Sequence, residues 1–437
     1  MSVSLGKRLM IAAIAPVAAL MVYGCGGGGG GGGGSSSGGA SGGGSGSSSS
    51  SQSSYVAGSV VTVSTRTGVF RGEAATAGLS GGGYAVVWTE RSTLAGAPDT
   101  SGSAILYRVI SATGAMVSAE LTVNSTTIGD QIRPAVLALD NGGFVVAWED
   151  YSASASPYTA GVIRAQMFDA SGAKTGGEFR VNTRALAGMS EVQLAPAGTG
   201  FMVAFRERAM NNAAVIVTDE VRAQIYTATG ATVGSELTLK AFPTGSIGGM
   251  APSFSLAGLS DGMFALAVDD FNTSGKALSN VQLFTAQGAA SGSAISLNGG
   301  QDAFYTSLVR LTNGRFAAIW SVANTNGYGL RSQAYAGSAT YGSLATVNAN
   351  AALSVSYRGA AGLSGGNYAV LYEYSTRLVV QILTPEGTKP FSEMDVPAPL
   401  IDGAVMTSGP GGFAVVTTEP NGPNTAKPVV LRLYTRQ

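Results

Sequence analysis

One short phrase of sequence occurs seven times in this chain: glycines come first, then an aromatic residue, then a run of small apolar residues. NGGFVVAWED (141–150) is one copy and SGGNYAVLYE (364–373) is another. The aromatic residues of the seven copies are Tyr84, Phe144, Phe201, Phe264, Phe316, Tyr368 and Phe413. Their spacing, about 45 to 63 residues, is typical of repeats that each form one supersecondary unit. The chain is therefore expected to fold as an array of seven such units.

Each unit contains four segments with strand patterns. In the second unit an apolar run (134–139), an Asn-Gly turn and the phrase itself together indicate a β-hairpin. Residues 144–148 (FVVAW) are apolar on both alternating faces, so this strand needs cover on both sides. A third strand follows over 163–169, and 178–182 (EFRVN) has only one apolar face. Burial is therefore expected to decrease from the first two strands to the fourth.

This gradient predicts an all-β fold, a seven-bladed β-propeller of four-stranded antiparallel blades, in which only the outermost strand of each blade faces water. The last unit stops after its third strand (429–434), whereas 58–65 (GSVVTVST), before the first unit, matches the fourth-strand pattern. We expect these two segments to pair, so that an N-terminal strand completes the last blade and no open edge remains. Tandem β-sandwiches and a β-solenoid are the alternatives, and neither needs complementary ends.

The repeat pattern GGFVVAW…QxFDxxG…GxExxVN resembles propeller-type repeats of large bacterial secreted and surface-associated proteins. The resemblance covers Gly58 to the C-terminus. It implies the fold and an extracytoplasmic setting, but no activity, because the matching positions are structural.

Two other residue types recur in the units and are interpreted as scaffold. Glutamines on the third strands are expected to bridge strands or neighbouring blades, because buried amides are kept where they are hydrogen-bonded. They are Gln166, Gln224, Gln282, Gln333 and Gln381. Trp88, Trp148 and Trp320 lie inside strand patterns and are expected in the core between blades.

The N-terminal segment differs in composition from the rest of the chain. Lys7 and Arg8 precede an apolar stretch (9–22), which is the order of a secretory signal and is too short for a membrane-spanning helix of roughly 20 residues. The only cysteine, Cys25, follows and opens a long Gly/Ser run. Val22-Tyr23-Gly24-Cys25 resembles the lipobox of bacterial lipoproteins, although that family usually has a small or modest aliphatic residue in place of Tyr23. Ordinary signal cleavage with an incidental cysteine is the alternative.

The lipobox resemblance implies an organisation for the whole chain. Residues 1–24 would be a lipoprotein signal peptide, and Cys25 would carry a diacylglycerol that holds the protein in a membrane. Residues 25–54 would form a tether, which we expect to be disordered with a span of about 30 Å because Gly/Ser chains bury nothing. The folded domain would occupy 55–437. By the same resemblance, Gly26 after the cysteine implies a lipoprotein of the outer membrane in the cell envelope. The sequence does not specify in which leaflet the lipid would lie.

Composition excludes several functions. Only 11% of the 437 residues are charged, and 25 basic residues balance 25 acidic ones, so no basic surface for nucleic acid is expected. The chain has no histidine, and a single cysteine forms neither an internal disulfide nor a zinc cluster. We therefore expect no metal site, no cofactor and a monomer, and any catalysis must use carboxylates, Lys, Tyr or Ser.

The variable loops after the second strands mark the expected ligand face, because propeller ligands usually bind where these loops gather near the axis. Aromatic residues in them would stack on a sugar or a protein partner, or pack against their own loop. These candidates are Tyr151, Tyr158, Phe271 and Tyr328.

Acids also recur at the ends of the second strands and form what we call the acidic ring. Its members are Glu90, Glu149, Asp150, Glu207, Asp269, Asp270, Glu373 and Glu419. They could bind a cation or sugar hydroxyls. The favoured interpretation is that they hydrogen-bond loop amides, because they lack the contiguous spacing of a calcium loop.

Three functions remain open from the sequence. The favoured one is a lipid-anchored envelope module that binds an unknown glycan or protein through its variable loop face. A carboxylate-dependent glycoside hydrolase or lyase is the second, but it needs one raised-pKa acid near another carboxylate, and the similar acids of six units do not single out a pair. The third is a periplasmic scaffold in envelope assembly, resembling outer-membrane lipoproteins that are also propellers, although the phrase lacks their tryptophan-rich motif.

Overall fold

The structure is a computed structural model that describes residues 54–66, 70–91, 99–152, 161–184, 189–210, 215–243, 253–259, 262–271, 277–297, 302–324, 326–351, 353–398, 403–418 and 428–437. Within these ranges the chain forms 28 β-strands and no helix. Accordingly, no described helix is long and apolar enough to cross a membrane. The folded unit runs from Ser54 to Gln437, and Cys25 with the predicted tether lies outside the described residues.

The strands form seven four-stranded antiparallel sheets, numbered here along the chain. The first strand, β1 (Tyr55–Thr62), belongs to the last of them. Sheet 1 contains β2 (Phe70–Gly78), β3 (Tyr84–Arg91), β4 (Ser103–Ile110) and β5 (Leu121–Thr122). Sheet 2 contains β6 (Gln131–Ala138), β7 (Phe144–Asp150), β8 (Val162–Phe168) and β9 (Lys174–Arg180). Sheet 3 contains β10 (Met189–Ala197), β11 (Gly200–Met210), β12 (Ile216–Tyr226) and β13 (Thr232–Ala241).

The remaining sheets repeat this order. Sheet 4 contains β14 (Phe254–Gly258), β15 (Phe264–Phe271), β16 (Ala277–Phe284) and β17 (Ala290–Ser296). Sheet 5 contains β18 (Ala303–Arg310), β19 (Arg315–Asn324), β20 (Gly327–Ala336) and β21 (Ala339–Thr346). Sheet 6 contains β22 (Ser356–Gly362), β23 (Tyr368–Tyr374), β24 (Arg377–Leu383) and β25 (Met394–Val396). Sheet 7 contains β26 (Gly403–Gly409), β27 (Gly412–Thr418), β28 (Val429–Arg436) and β1.

The first strands of the sheets surround a central channel. β2 contacts β6, β6 contacts β10, and the series continues through β14, β18, β22 and β26 back to β2. In sheet 7, β1 pairs with β28, with Val61 opposite Leu431 and Tyr55 opposite Arg436. The chain is a seven-bladed β-propeller, and its N-terminal strand is the outermost strand of sheet 7.

The hydrophobic core is divided among the junctions between neighbouring sheets. Val145 packs in the cluster between sheets 2 and 3, whereas the next residue, Val146, packs in the cluster between sheets 1 and 2. This confirms that the second strand is covered on both faces. Trp88 and Trp148 are completely buried in the same kind of junction. The fourth strand β9 is mostly exposed, as the predicted burial gradient requires.

The recurring glutamines join third and fourth strands. The Gln166 side-chain amide donates to the carbonyls of Met167 (2.9 Å), Thr175 (3.3 Å) and Gly176 (3.2 Å). The pairing register shifts at this point, and Gly176 has a φ of +68°, which favours glycine. Equivalent bonds are made by Gln224, Gln282, Gln333 and Gln381. The predicted scaffold role of these side chains is confirmed.

Candidate functional site

Five of the first strands contain an irregularity near their start. Their pairing with the second strand shifts register between residues 72 and 75, 132 and 135, 190 and 193, 304 and 307, and 357 and 359. Such β-bulges leave a residue unpaired and re-aim its side chain, and they are common next to active sites. These shifts lie at the end of the channel that carries the ends of the second strands.

Four of these bulges hold a residue other than glycine in the left-handed backbone conformation. The residues, which we call the bulge ring, are Glu73 (φ 49°), Arg133 (54°), Glu191 (59°) and Tyr305 (53°). This conformation costs an L-residue about 1–2 kcal/mol, which the surrounding structure must offset. Strained backbone of this kind clusters at ligand sites, so these four residues are candidates for function.

Arg133 connects carboxylates on two sheets. Its Nη1 donates to Oε2 of Glu149 at 3.1 Å, and its Nε lies 3.5 Å from Oε1 of Glu73. Glu149 faces sheet 3, because its Oε1 accepts a hydrogen bond from the amide of Glu191 at 3.0 Å. Glu73 belongs to sheet 1. Arg133 lies on β6, the innermost strand of sheet 2, which faces β2 of sheet 1, so its guanidinium bridges the two sheets beside the channel.

Glu149 is completely buried beneath Arg133. The hydroxyl of Tyr151 donates to its Oε2 at 2.8 Å. Burial raises the pKa of Glu149 to about 7, while the Arg133 charge and the Tyr151 hydrogen bond act to lower it. Burial therefore favours the neutral form of this carboxyl more than it would for an exposed glutamate.

The carboxylates of the bulge ring lie in unlike surroundings. The side chain of Glu73 is 35% exposed and that of Arg133 is 23% exposed. Glu191 is partly exposed, yet protein surrounds it on most sides, as expected beside a channel. This burial raises the pKa of Glu191, and the nearby charges of Arg206, Arg208 and Arg133 offset only part of the rise.

The acids of the predicted acidic ring pair with side chains that occupy different positions from one sheet to the next. The pairs are Glu90 with Arg71, Glu149 with Arg133, Asp150 with Arg164, Glu207 with Arg222, Asp269 with Ser253 and Ser279, Asp270 with Lys240, and Glu373 with Arg358. Glu419 lies outside the described residues. Within the described ranges, no three acidic or cysteine side chains are placed to hold a metal ion.

Two members of the acidic ring also accept hydrogen bonds from bulges. Glu149 accepts from the amide of Glu191, and Asp269 accepts from the amide of Thr306 at 3.1 Å. Both bonds cross from one sheet to the next. These acids therefore hold the neighbouring bulge in place, and ligand binding by the acidic ring itself stays a prediction.

The four predicted aromatic contacts lie in different settings. Tyr151 is only 4% exposed and packs against Glu149, so its ring is not open for stacking in this structure. Tyr158 lies outside the described residues, and Phe271 ends β15 with a side chain that is not described. Tyr328 is 39% exposed. It packs edge-on against Phe304, which also contacts Tyr305 of the bulge ring.

Glu73, Arg133 and Glu191 were not among the site residues predicted from the sequence. The site residues were predicted from the repeated phrase, which forms the second strands, and from the loops that follow it. Glu73, Arg133 and Glu191 instead lie in the first strands, which precede the phrase in each unit. A signal was present, because a charged residue interrupts an otherwise apolar or small-residue segment at each position. In a strand buried between two blades such a charge needs a partner or a ligand.

A cavity of about 510 Å³ lies at the opposite end of the channel. It is lined by the ends of β18, β22 and β26, and by Leu137 from β6 across the channel. Arg310 is the charged residue among its lining side chains. The ionisable groups of the channel are therefore concentrated at the end that carries the bulge ring.

No protein-family model and no curated protein matches the sequence. Solved structures do match. A mutant puromycin hydrolase complexed with PGG is 14% identical with a TM-score of 0.52, over 84% of this chain and 53% of the hydrolase. This chain therefore spans about half the length of that hydrolase.

For two further solved structures, the match covers most of the length of the solved chain. A protein of unknown function from Dyadobacter fermentans is 10% identical with a TM-score of 0.48, over 88% of this chain and 99% of that one. A mutant α-L-arabinofuranosidase from Fusarium graminearum, in complex with an iminosugar inhibitor, is 12% identical with a TM-score of 0.47, over 69% and 92%. At such identities the likeness concerns the fold alone, so the chain is classified by its architecture, as a seven-bladed β-propeller.

Proposed function

We propose that this chain is an envelope module that binds a glycan at the channel end bearing the bulge ring, and that a lipid on Cys25 anchors it to the outer membrane. The bulge ring is the observation that carries the binding proposal. Four strained positions bring two carboxylates, a guanidinium and a phenol to one end of the channel. Strain that is kept at equivalent positions of several sheets needs a benefit, and ligand binding supplies one.

The chemistry of the bulge ring suits sugar hydroxyls. A hydroxyl both donates and accepts, so it can bond a carboxylate and a guanidinium at the same time. Glu73 and Arg133 offer this pair side by side, and both are partly exposed. Tyr305 and Tyr328 add aromatic surface on sheet 5, and ligand pockets typically combine such surface with a few fixed polar groups.

The scaffold favours binding to a ligand without large rearrangement. The bulge ring lies on strands rather than on loops, and Glu149 holds both the Arg133 guanidinium and the Glu191 amide. A site that is held in its binding geometry loses less conformational entropy when the ligand arrives. The balanced charge of the chain also favours a neutral ligand over a polyanion.

The anchoring part of the proposal rests on the signal and on the lipobox resemblance of residues 22–25. A Gly/Ser chain of this length gives the domain a reach of about 30 Å from the lipid surface. Metabolic labelling with an alkyne palmitate tests it: the wild-type chain should take up label and Cys25→Ser should not. Equal labelling would reject the anchor. Protease treatment of intact cells then separates a surface module, which is cut, from a periplasmic scaffold, which is protected.

Binding is tested on a glycan array with the Cys25→Ser chain. Adding Arg133→Gln should weaken binding to the glycans captured by at least about tenfold, the cost of one lost charged hydrogen bond. Arg164→Gln is the matched control, because Arg164 lies on the third strand of the same sheet with similar exposure and pairs with Asp150. Glu73→Gln gives a second variant if Arg133→Gln unfolds. No captured glycan, or equal effects of Arg133→Gln and Arg164→Gln, would reject the site.

A further inference from the structure

We infer that the cavity at the channel end opposite the bulge ring is a second binding site, which takes an amphiphile with one apolar chain and one anionic head group. Arg310 binds the head group, and the leucines and the methionine of the cavity wall cover the chain. The inference goes beyond the proposed function, because none of the bulge-ring residues lines this cavity.

The cavity lies where three neighbouring first strands end. Its walls come from residues 308–310 of β18, 360–362 of β22 and 406–408 of β26, and from the residues that follow β18 and β22. These strands contact one another in the order β18, β22, β26 around the channel, so their ends converge on one space. Leu137 of β6 lines this space from across the channel. The volume of about 510 Å³ lies within the roughly 300–1,000 Å³ that is typical of small-molecule sites.

Most of the large side chains that line the cavity are apolar. They are Leu137, Leu308, Val309, Leu311, Leu363 and Met406. Leu311 belongs to the buried cluster between sheets 5 and 6, whereas Leu363 and Met406 belong to the cluster between sheets 6 and 7. The cores between the blades therefore hold this wall in place before a ligand arrives, which lowers the entropy cost of binding. A chain that covers the wall removes apolar surface from water, and the flexible thioether of Met406 can adapt to its shape.

Arg310 supplies the charge of the cavity lining. It is the exposed last residue of β18, and no acidic residue lines the cavity with it. In the part of the chain that the structure describes, Arg310 forms no ion pair with a carboxylate. Its guanidinium is therefore available to a carboxylate or a phosphate, which it can bind through two parallel hydrogen bonds. Thr312 and Asn313, directly after β18, add exposed polar residues to the same lining.

The lining selects against the kind of ligand proposed for the bulge ring. A sugar would place hydroxyls against leucine side chains that offer no hydrogen bond, and a buried polar group without a partner is costly. A ligand with several charges would need more than one cation in the lining. A single chain with a single anionic head group fits both the apolar wall and Arg310. The head group is a carboxylate or a phosphate monoester, two anions that share this chemistry.

Displacement of a fluorescent probe tests the site. The Cys25→Ser chain is used, so that no acyl group of its own can occupy the cavity. N-phenyl-1-naphthylamine, a neutral probe that fluoresces in apolar surroundings, is bound first and is then displaced by decanoate, decyl phosphate or neutral decanol. The better of the two anions should bind at least about tenfold more tightly than decanol, which is the contribution of one charged hydrogen bond. The better anion identifies the head group.

Arg310→Gln should abolish this preference for an anion. It should weaken binding of the better anion by about tenfold and change binding of decanol by less than about twofold. Arg180→Gln is the matched control, because Arg180 is also an exposed arginine at the end of a strand, β9, but does not line the cavity. It should change the binding of each ligand by less than about twofold, because solvent screens a distant surface charge.

Ala360→Phe gives a second variant, because Ala360 is a partly exposed residue of the cavity wall and a larger side chain there would fill the space. It should weaken binding of all three ligands at least about tenfold, whereas Ala339→Phe, on the exposed strand β21, should not. Circular dichroism checks the fold of every variant. No displacement of the probe, equal binding of the anions and decanol, or equal effects of Arg310→Gln and Arg180→Gln would overturn the inference. Glycan capture on the array should not respond to Arg310→Gln, so either site can fail without the other.

Discussion

Glu120 of sheet 1 accepts two hydrogen bonds from Thr65, one from the backbone amide (2.7 Å) and one from the hydroxyl (2.9 Å). Thr65 follows β1, so this contact joins the outer strand of sheet 7 to sheet 1. Glu178 of sheet 2 makes the same pair of bonds with Ser125 of sheet 1, at 2.6 and 2.8 Å. The junction between sheet 7, which the N-terminal strand completes, and sheet 1 is therefore built like the junction between sheets 1 and 2.

Val60 and Val61 are neighbours in β1 with opposite exposure. Val61 is 9% exposed and packs between sheets 7 and 1, whereas Val60 is 62% exposed. Val61→Asp should lower the free energy of unfolding by about 3–5 kcal/mol, because it buries an unpaired charge. Val60→Asp should change it by less than about 0.5 kcal/mol. Urea unfolding measures both, and equal losses would contradict the placement of β1.

Glu149 should make the folded protein less stable as the pH rises. Its pKa is about 7 in the folded protein against an ordinary 4.5, so the folded state binds this proton more tightly than the unfolded chain does. Stability is therefore lost as the pH rises from about 4.5 through about 7. The difference between a pKa of about 7 and one of 4.5 corresponds to about 3 kcal/mol of unfolding free energy.

Glu149→Gln should remove this dependence, because the amide has no proton to lose in this range. The variant should gain about 3 kcal/mol relative to wild type between about pH 4.5 and pH 8. Urea unfolding at both pH values measures the gain. A difference between variant and wild type that is the same at both pH values would show that Glu149 titrates normally.

Tyr151→Phe removes the hydroxyl that donates to Glu149 and keeps the buried ring. Because this bond favours the ionised carboxyl, its loss should raise the pKa of Glu149. Carbon-13 NMR of the glutamate carboxyls, followed across pH, measures the change. A midpoint that stays the same or falls would mean that the hydroxyl does not act on Glu149 in solution.

Gln381 and Gln282 make similar bonds but differ in burial. Gln381 is buried and donates to the carbonyls of Ile382 (3.0 Å) and Phe391 (2.8 Å), whereas Gln282 is partly exposed. Gln381→Ala should cost about 1–3 kcal/mol, because it leaves buried carbonyls without a donor. Gln282→Ala should cost less, because water can replace the lost bonds. Thermal unfolding compares the two variants, and a larger loss for Gln282→Ala would be inconsistent with this account.

Much of the fold could be predicted because burial on both faces leaves a local pattern. Residues 144–148 are continuously apolar, and the structure places them in β7 with neighbours on both sides. The weaker alternation of 178–182 predicted an exposed outer strand, which the structure places slightly earlier, at Lys174–Arg180. The two ends of the repeat array could be matched for the same reason, since β1 supplies the one-sided fourth strand that the last repeat of the sequence lacks.

The candidate site could not be predicted in the same way, because a β-bulge has no fixed residue type. The bulges at Glu73, Arg133 and Glu191 share no sequence, and none of them contains glycine at the left-handed position. Arg133 even precedes Pro134, which favours an extended backbone. Glu149 was a candidate, and the β6–β7 hairpin that carries its partner Arg133 could be predicted, but no local pattern indicates the bulge that turns Arg133 toward Glu149.

The amide of Gln437 donates to the carbonyl of Ser54 at 2.8 Å, so the two ends of the folded unit meet at one point on the rim of sheet 7. A short peptide could link them, and the chain could then be opened between two other sheets without removing a strand. Circularly permuted versions should therefore fold to the same toroid. The order in which the blades are synthesised could then be changed while their arrangement around the ring stays the same.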